Sequence, residues 1–117
     1  MTTRRSVLIV EDEALIAMML EDVLDTLGHD IAGTAETVSE AIARIEQGGV
    51  DMAIVDVHLR GGEACWPVAD ALADRGIRFL LATGGHTEEP PARHARGAVL
   101  AKPFTLAGVE SALAALA

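Results

Sequence analysis

Short apolar runs alternate with amphipathic stretches five times along the chain. Val7-Leu8-Ile9-Val10 has the length and β-branched character of a strand. From residue 14 to 27 the spacing becomes helical. Ile16, Leu20, Val23, Leu24 and Leu27 fall on one stripe, and Gly28 stands where a helix would stop. Residues 29 to 34 predict a weaker strand around Ile31. Thr37 opens a second helix with Val38, Ala41, Ile42 and Ile45 on one face, closed by Gly48-Gly49. Met52-Ala53-Ile54-Val55 predicts a third strand, which ends at Asp56 and runs into a Gly61-Gly62 loop. Pro67 suits the first turn of a third helix. There Val68, Ala71 and Leu72 should face inward, and Gly76 should end it. Phe79 to Ala82 and Val99 to Ala101 predict the last two strands. Between them, residues 86 to 97 carry Pro90-Pro91, two glutamates and few apolar residues, so only a short helix fits, around residues 92 to 96. Thr105 is placed to cap a final helix whose inward face is Leu106, Val109, Leu113 and Leu116. Five such βα repeats with continuous apolar strands predict an α/β fold with a parallel sheet covered on both faces.

With 117 residues, half of them hydrophobic, the chain is expected to form one domain, 1–117, around a substantial core. A formal net charge of −9 argues against a nucleic-acid-binding surface, which needs a basic face. Arg4 and Arg5 lead into only a short apolar run that acids follow at once. That is neither a signal peptide nor a membrane span, so a cytoplasmic location is expected. The single cysteine, Cys65, allows no intramolecular disulfide and fits a small, partly buried residue better than a reactive thiol. Trp66 is expected to cover the third helix, and Met18 and Met19 to fill core space. His86 and His94 are expected to be solvated loop residues.

In parallel α/β sheets the working residues lie just past the carboxyl ends of the strands. Those positions hold Glu11, Asp12 and Glu13 after the first strand, and Asp56 after the third. Thr83 and Gly84 follow the fourth, and Lys102 and Pro103 the fifth. Bringing Glu11, Asp12 and Asp56 together costs about 4 kcal/mol per close pair at an effective dielectric of about 20, unless a cation sits among them. An all-oxygen set with a few carboxylates suits Mg²⁺. Metal and lysine together can hold a phosphoryl group in transit, and a carboxylate can be the nucleophile.

Val10-Glu11-Asp12-Glu13, Val55-Asp56 with Leu59 and Gly61 beyond, Ala82-Thr83-Gly84 and Lys102-Pro103-Phe104 together resemble the signature set of response-regulator receiver domains. The resemblance covers essentially the whole chain. It implies a flavodoxin-like (βα)5 doubly wound sheet with strand order 2-1-3-4-5, here with a short or irregular fourth helix. It implies that Asp56 accepts a phosphoryl group from a histidine kinase or a histidine phosphotransfer protein. Asp12 would ligate Mg²⁺ directly, Glu11 through water, and His58 through its backbone carbonyl. The Thr83 hydroxyl and Lys102 ammonium would bind phosphoryl oxygens, and the Lys102-Pro103 bond would be cis. Pro67-Val68-Ala69-Asp70-Ala71-Leu72, Phe79 and Ala82-Thr83-Gly84-Gly85 are similar to the alphaproteobacterial single-domain group named for a Phe-Ala-Thr-Gly motif, the FAT GUY group. Its members act with kinases of the HWE or related type. Typical receivers carry an aromatic switch residue where this chain has Val99. Its stiff, small side chain and the Gly84 hinge suggest instead that residues 84 to 97 order on phosphorylation.

Rival classes fit less well. A haloacid-dehalogenase-type Mg²⁺-dependent phosphohydrolase needs a second aspartate two residues past its nucleophile, where this chain has His58. A flavin-binding flavodoxin needs a hydroxyl- and glycine-rich phosphate loop, where Glu11-Asp12-Glu13 would repel phosphate. The expected protein is therefore a signalling module rather than an enzyme. It would work through protein contacts, or alternatively as a phosphate shuttle or sink that drains a kinase.

Overall fold

The computed structural model describes residues 4–59, 62–83, 98–101 and 105–116. Five parallel strands form one sheet: β1 (Ser6–Val10), β2 (Asp30–Ala35), β3 (Met52–Asp56), β4 (Arg78–Thr83) and β5 (Ala98–Ala101), in the spatial order β2-β1-β3-β4-β5. Helices α1 (Ala14–Thr26), α2 (Val38–Glu46) and α3 (Trp66–Asp74) connect the first four strands, and α4 (Leu106–Leu116) follows the fifth. The doubly wound flavodoxin-like fold expected from the sequence is what forms. The predicted short fourth helix lies outside the described residues.

The sheet divides the core in two because successive side chains of a strand point to opposite faces. Leu8, Val10, Ala53, Val55 and Leu81 pack with Val38, Ala41 and Ile45 of α2 and with Val68 and Leu72 of α3. On the other face, Val7, Ile9, Met52, Ile54, Leu80 and Ala82 pack with Ala17, Leu20 and Leu24 of α1 and with Val109 and Leu113 of α4.

The predicted helix ends are built as their glycines suggest. At the end of α1, Gly28 N–H donates to Asp25 O (3.0 Å) and His29 N–H to Leu24 O (2.9 Å). This pair of bonds needs a left-handed residue, and Gly28 takes φ +86°. Gly76 (φ +69°) and Ile77 repeat the pattern on Ala73 and Leu72 at the end of α3. Thr37 caps α2, its Oγ1 accepting from Glu40 N–H (3.1 Å). Thr105 caps α4, its Oγ1 accepting from Gly108 N–H (2.9 Å).

Three expectations about burial are corrected. Met18 and Met19 are not core filler; they are 58% and 45% exposed. Ala17, Leu20 and Leu24 meet the sheet, and the helical period carries Leu15, Met18 and Met19 onto a second stripe that faces solvent. Leu106 is 46% exposed, because it opens the first turn of α4, ahead of the Val109–Leu113 pair that reaches the core. On α3 the inward position beside Val68 and Leu72 belongs to Ala69, with Ala71 only partly buried. The Leu116 side chain lies outside what is described.

Candidate functional site

The register of the sheet sets the site. Val10 pairs with Val55, Asp56 with Ala82, and Thr83 with Ala101. The residues that follow β1, the last residue of β3, and the last of β4 therefore lie at one carboxyl edge. Beyond β1, Glu11 N–H continues the ladder by donating to Ala35 O (2.9 Å). The chain then turns at Asp12 and Glu13 to start α1, whose N-terminal dipole favours negative charge nearby.

At this edge Glu11, Asp12 and Asp56 each offer a carboxylate oxygen, and these oxygens lie within 4.8 Å of one another. Glu11 is only 3% exposed and Asp56 only 9%, so water screens their charges poorly. At 4.8 Å each like-charged pair repels by about 3.5 kcal/mol at an effective dielectric of about 20. A small hard cation with oxygen ligands relieves that repulsion, and the donor set fits Mg²⁺. These three residues form a cluster that could hold a metal.

The described residues of the loop after β3 are held by main-chain hydrogen bonds. Val57 N–H donates to Ala82 O (3.1 Å), and Val57 O accepts from Cys65 N–H (2.9 Å). His58 bridges antiparallel to Ala64. Leu59 N–H donates to Glu63 O (2.8 Å), and Val57 and Leu59 are both buried. The main chain on either side of His58 is thus held, while the His58 side chain is exposed.

Cys65 closes this loop at the start of α3, its carbonyl accepting from Val68 N–H (2.8 Å) and Ala69 N–H (3.1 Å). It is wholly buried rather than partly so. Burial, helped by the negative charge of Asp56, pushes its thiol up to about 12. Trp66 opens α3 half-buried against the core, as a cover for that helix.

The sequence placed Glu11, Asp12 and Asp56 in one site, and the fold brings them together. Thr83 ends β4 beside Ala101, the residue before Lys102. Val99 lies in β5 opposite Leu81. Lys102, Pro103 and Phe104 lie outside the described residues, as does the segment 84–97 with Gly84, His86, Pro90-Pro91 and His94. Sequence reasoning missed Glu63. Its Oε1 accepts from Val38 N–H (3.1 Å), a tie between residues 25 positions apart that no local pattern announces. Among the described residues no helix is long and apolar enough to cross a membrane.

Comparison with known proteins agrees with this geometry. The model of the response regulator receiver domain matches residues 7–113. SdrG from Sphingomonas melonis Fr1 is 55% identical over 99% of this chain and 98% of its own, with a TM-score of 0.88. The BeF3-activated conformation of SdrG superposes with a TM-score of 0.83. The transcriptional regulatory protein PdtaR of Mycobacterium tuberculosis is 31% identical over 113 residues, covering 93% of this chain and 55% of PdtaR. The phyllosphere-induced regulator PhyR of Methylorubrum extorquens is 31% identical over 116 residues, covering 92% of this chain and 41% of PhyR. The chain thus spans about half the length of the curated relatives it matches. SdrG and PhyR as neighbours are consistent with the FAT GUY-like group. Receiver domains are signalling modules rather than enzymes in the usual sense, and they interact with histidine kinases or phosphotransfer proteins. The chain belongs to the response regulator receiver domain family.

Proposed function

We propose that this chain, as a single domain spanning 1–117, accepts a phosphoryl group on Asp56 from a histidine kinase or a histidine phosphotransfer protein. The reaction is Mg²⁺-dependent and cytoplasmic, and the phosphorylated domain signals through protein contacts. The observation that carries this reading is the meeting of three carboxylates within 4.8 Å, one of them ending the central strand β3. An Asp56 oxygen attacks phosphorus, the P–N bond of the phosphohistidine breaks, and the released imidazole takes up a proton. Asp12 and Asp56, with Glu11 through water and the His58 carbonyl, would hold Mg²⁺, which when bound would neutralise charge on the phosphoryl oxygens. The Thr83 hydroxyl and the Lys102 ammonium would bind those oxygens. That SdrG has been solved in a BeF3-activated conformation supports this mode, since BeF3 stands in for a phosphoryl group.

The test is thermal unfolding in chelator and in Mg²⁺. The cation binds the folded form, so at about 100 times its dissociation constant it adds about 2.7 kcal/mol. For a domain of this size that raises Tm by roughly 10 °C. Asp12→Ala removes one repelling charge and one ligand. It should melt above wild type in chelator and show no response to Mg²⁺. If it melts below wild type in chelator and still responds, the three acids do not act as one site.

A further inference from the structure

We infer that Glu63 is a positioning residue for the metal centre, holding the His58 carbonyl in place by anchoring its loop to the N-terminus of α2. The inference rests on the proposed role of that carbonyl as an Mg²⁺ ligand.

The segment from Val57 to Cys65 is clamped at its base. Val57 bonds to Ala82 and Cys65, and His58 bridges Ala64. Farther out, Glu63 does two things at once. Its carbonyl accepts from Leu59 N–H (2.8 Å), closing the hairpin just beyond His58. Its carboxylate leaves the hairpin and accepts from Val38 N–H (3.1 Å). Val38 is the first residue of α2 after the Thr37 cap, so its N–H has no acceptor within the helix. An anion at a helix N-terminus is also favoured by the dipole. The hairpin that carries His58 is therefore tied to a helix packed on the sheet, and not only to its own strand. Mg²⁺ demands near-ideal octahedral geometry, so a ligand carbonyl on a loosened hairpin would bind it less well.

Outer partners of metal ligands commonly change affinity by 10–100-fold, and Glu63 stands one bond farther out; about three- to tenfold is expected. The measurement is the Mg²⁺ dissociation constant by calorimetry, at a temperature where every variant is folded. Glu63→Ala should weaken binding by that factor, and Glu63→Gln, which keeps an acceptor, should restore most of it. Val38→Pro removes the donor at a position where proline suits a helix, and Thr37 before it is already extended (ψ 164°). It should reproduce the loss seen in Glu63→Ala, and the double variant should be no worse than either. Thr37→Ala damages the same helix end but leaves the Glu63–Val38 bond, so it should not change the constant.

A wild-type protein that binds no Mg²⁺ overturns the underlying reading of the site. If wild type binds, three results each overturn the inference itself. They are unchanged affinity in Glu63→Ala or Val38→Pro, Glu63→Gln as weak as Glu63→Ala, and an equal loss in Thr37→Ala.

Discussion

Asp56→Asn should take up no phosphoryl group from a small phosphodonor such as acetyl phosphate in the presence of Mg²⁺, where the wild type takes up one. The amide has nearly the shape of the carboxylate, so packing at the end of β3 is kept. What is lost is the anionic oxygen that attacks phosphorus. Intact-protein mass spectrometry reads the outcome directly, and the wild-type adduct should be released by hydroxylamine, as an acyl phosphate is. Loss of folding is separated from loss of chemistry by the same charge argument. Replacing Asp56 removes repulsion from Glu11 and Asp12, whose oxygens lie within 4.8 Å of its own, so the variant should melt at or above wild type in chelator. Labelling that persists in Asp56→Asn, or that proceeds in wild type without a divalent ion, would contradict the assignment.

Cys65 should react with a disulfide reagent about a thousandfold more slowly in the native protein than in urea at pH 8. The thiolate is the reactive form, and an ordinary thiol of pKa about 8.5 is appreciably ionised there. Burial first, and the Asp56 charge second, push the folded thiol up to about 12. The sulfur is also shut off from solvent, since the residue has no exposed surface. The same shift gives a direction for stability. The folded state disfavours the thiolate, so the contribution of the neutral thiol is fully present below the unfolded pKa of about 8.5 and is lost as pH rises toward 12. The chain has no tyrosine to titrate alongside it. Native labelling within tenfold of the unfolded rate would show that the β3–α3 loop does not bury this group.

Much of the fold was legible because it rests on short-range physics. The runs Val7–Val10 and Met52–Val55 are buried on both faces, so they read as uninterrupted apolar strands. Gly28, Gly76 and Thr37 announced helix ends because the bonds they make span only a few residues. The acidic cluster was legible too, since the strand ends of a parallel sheet converge at one edge. Apolar residues beyond the main stripe were not legible. Met18 and Met19 are apolar, as Leu20 is, and the phase of α1 against the sheet decides which of them is covered. Glu63 was invisible for the opposite reason. Its partner is the Val38 main-chain N–H, a group every residue but proline carries, so no side-chain pattern marks the pair.

The strand order β2-β1-β3-β4-β5 also governs how the sheet can be assembled as the chain is synthesised. β2 pairs with β1, β3 takes the free edge of β1, β4 the free edge of β3, and β5 the free edge of β4. Each strand leaving the ribosome finds its partner already made, and none must be inserted between two strands that have already paired. The acidic residues Glu11, Asp12 and Asp56 all belong to the first 56 positions, so all three have been synthesised before β4 and β5.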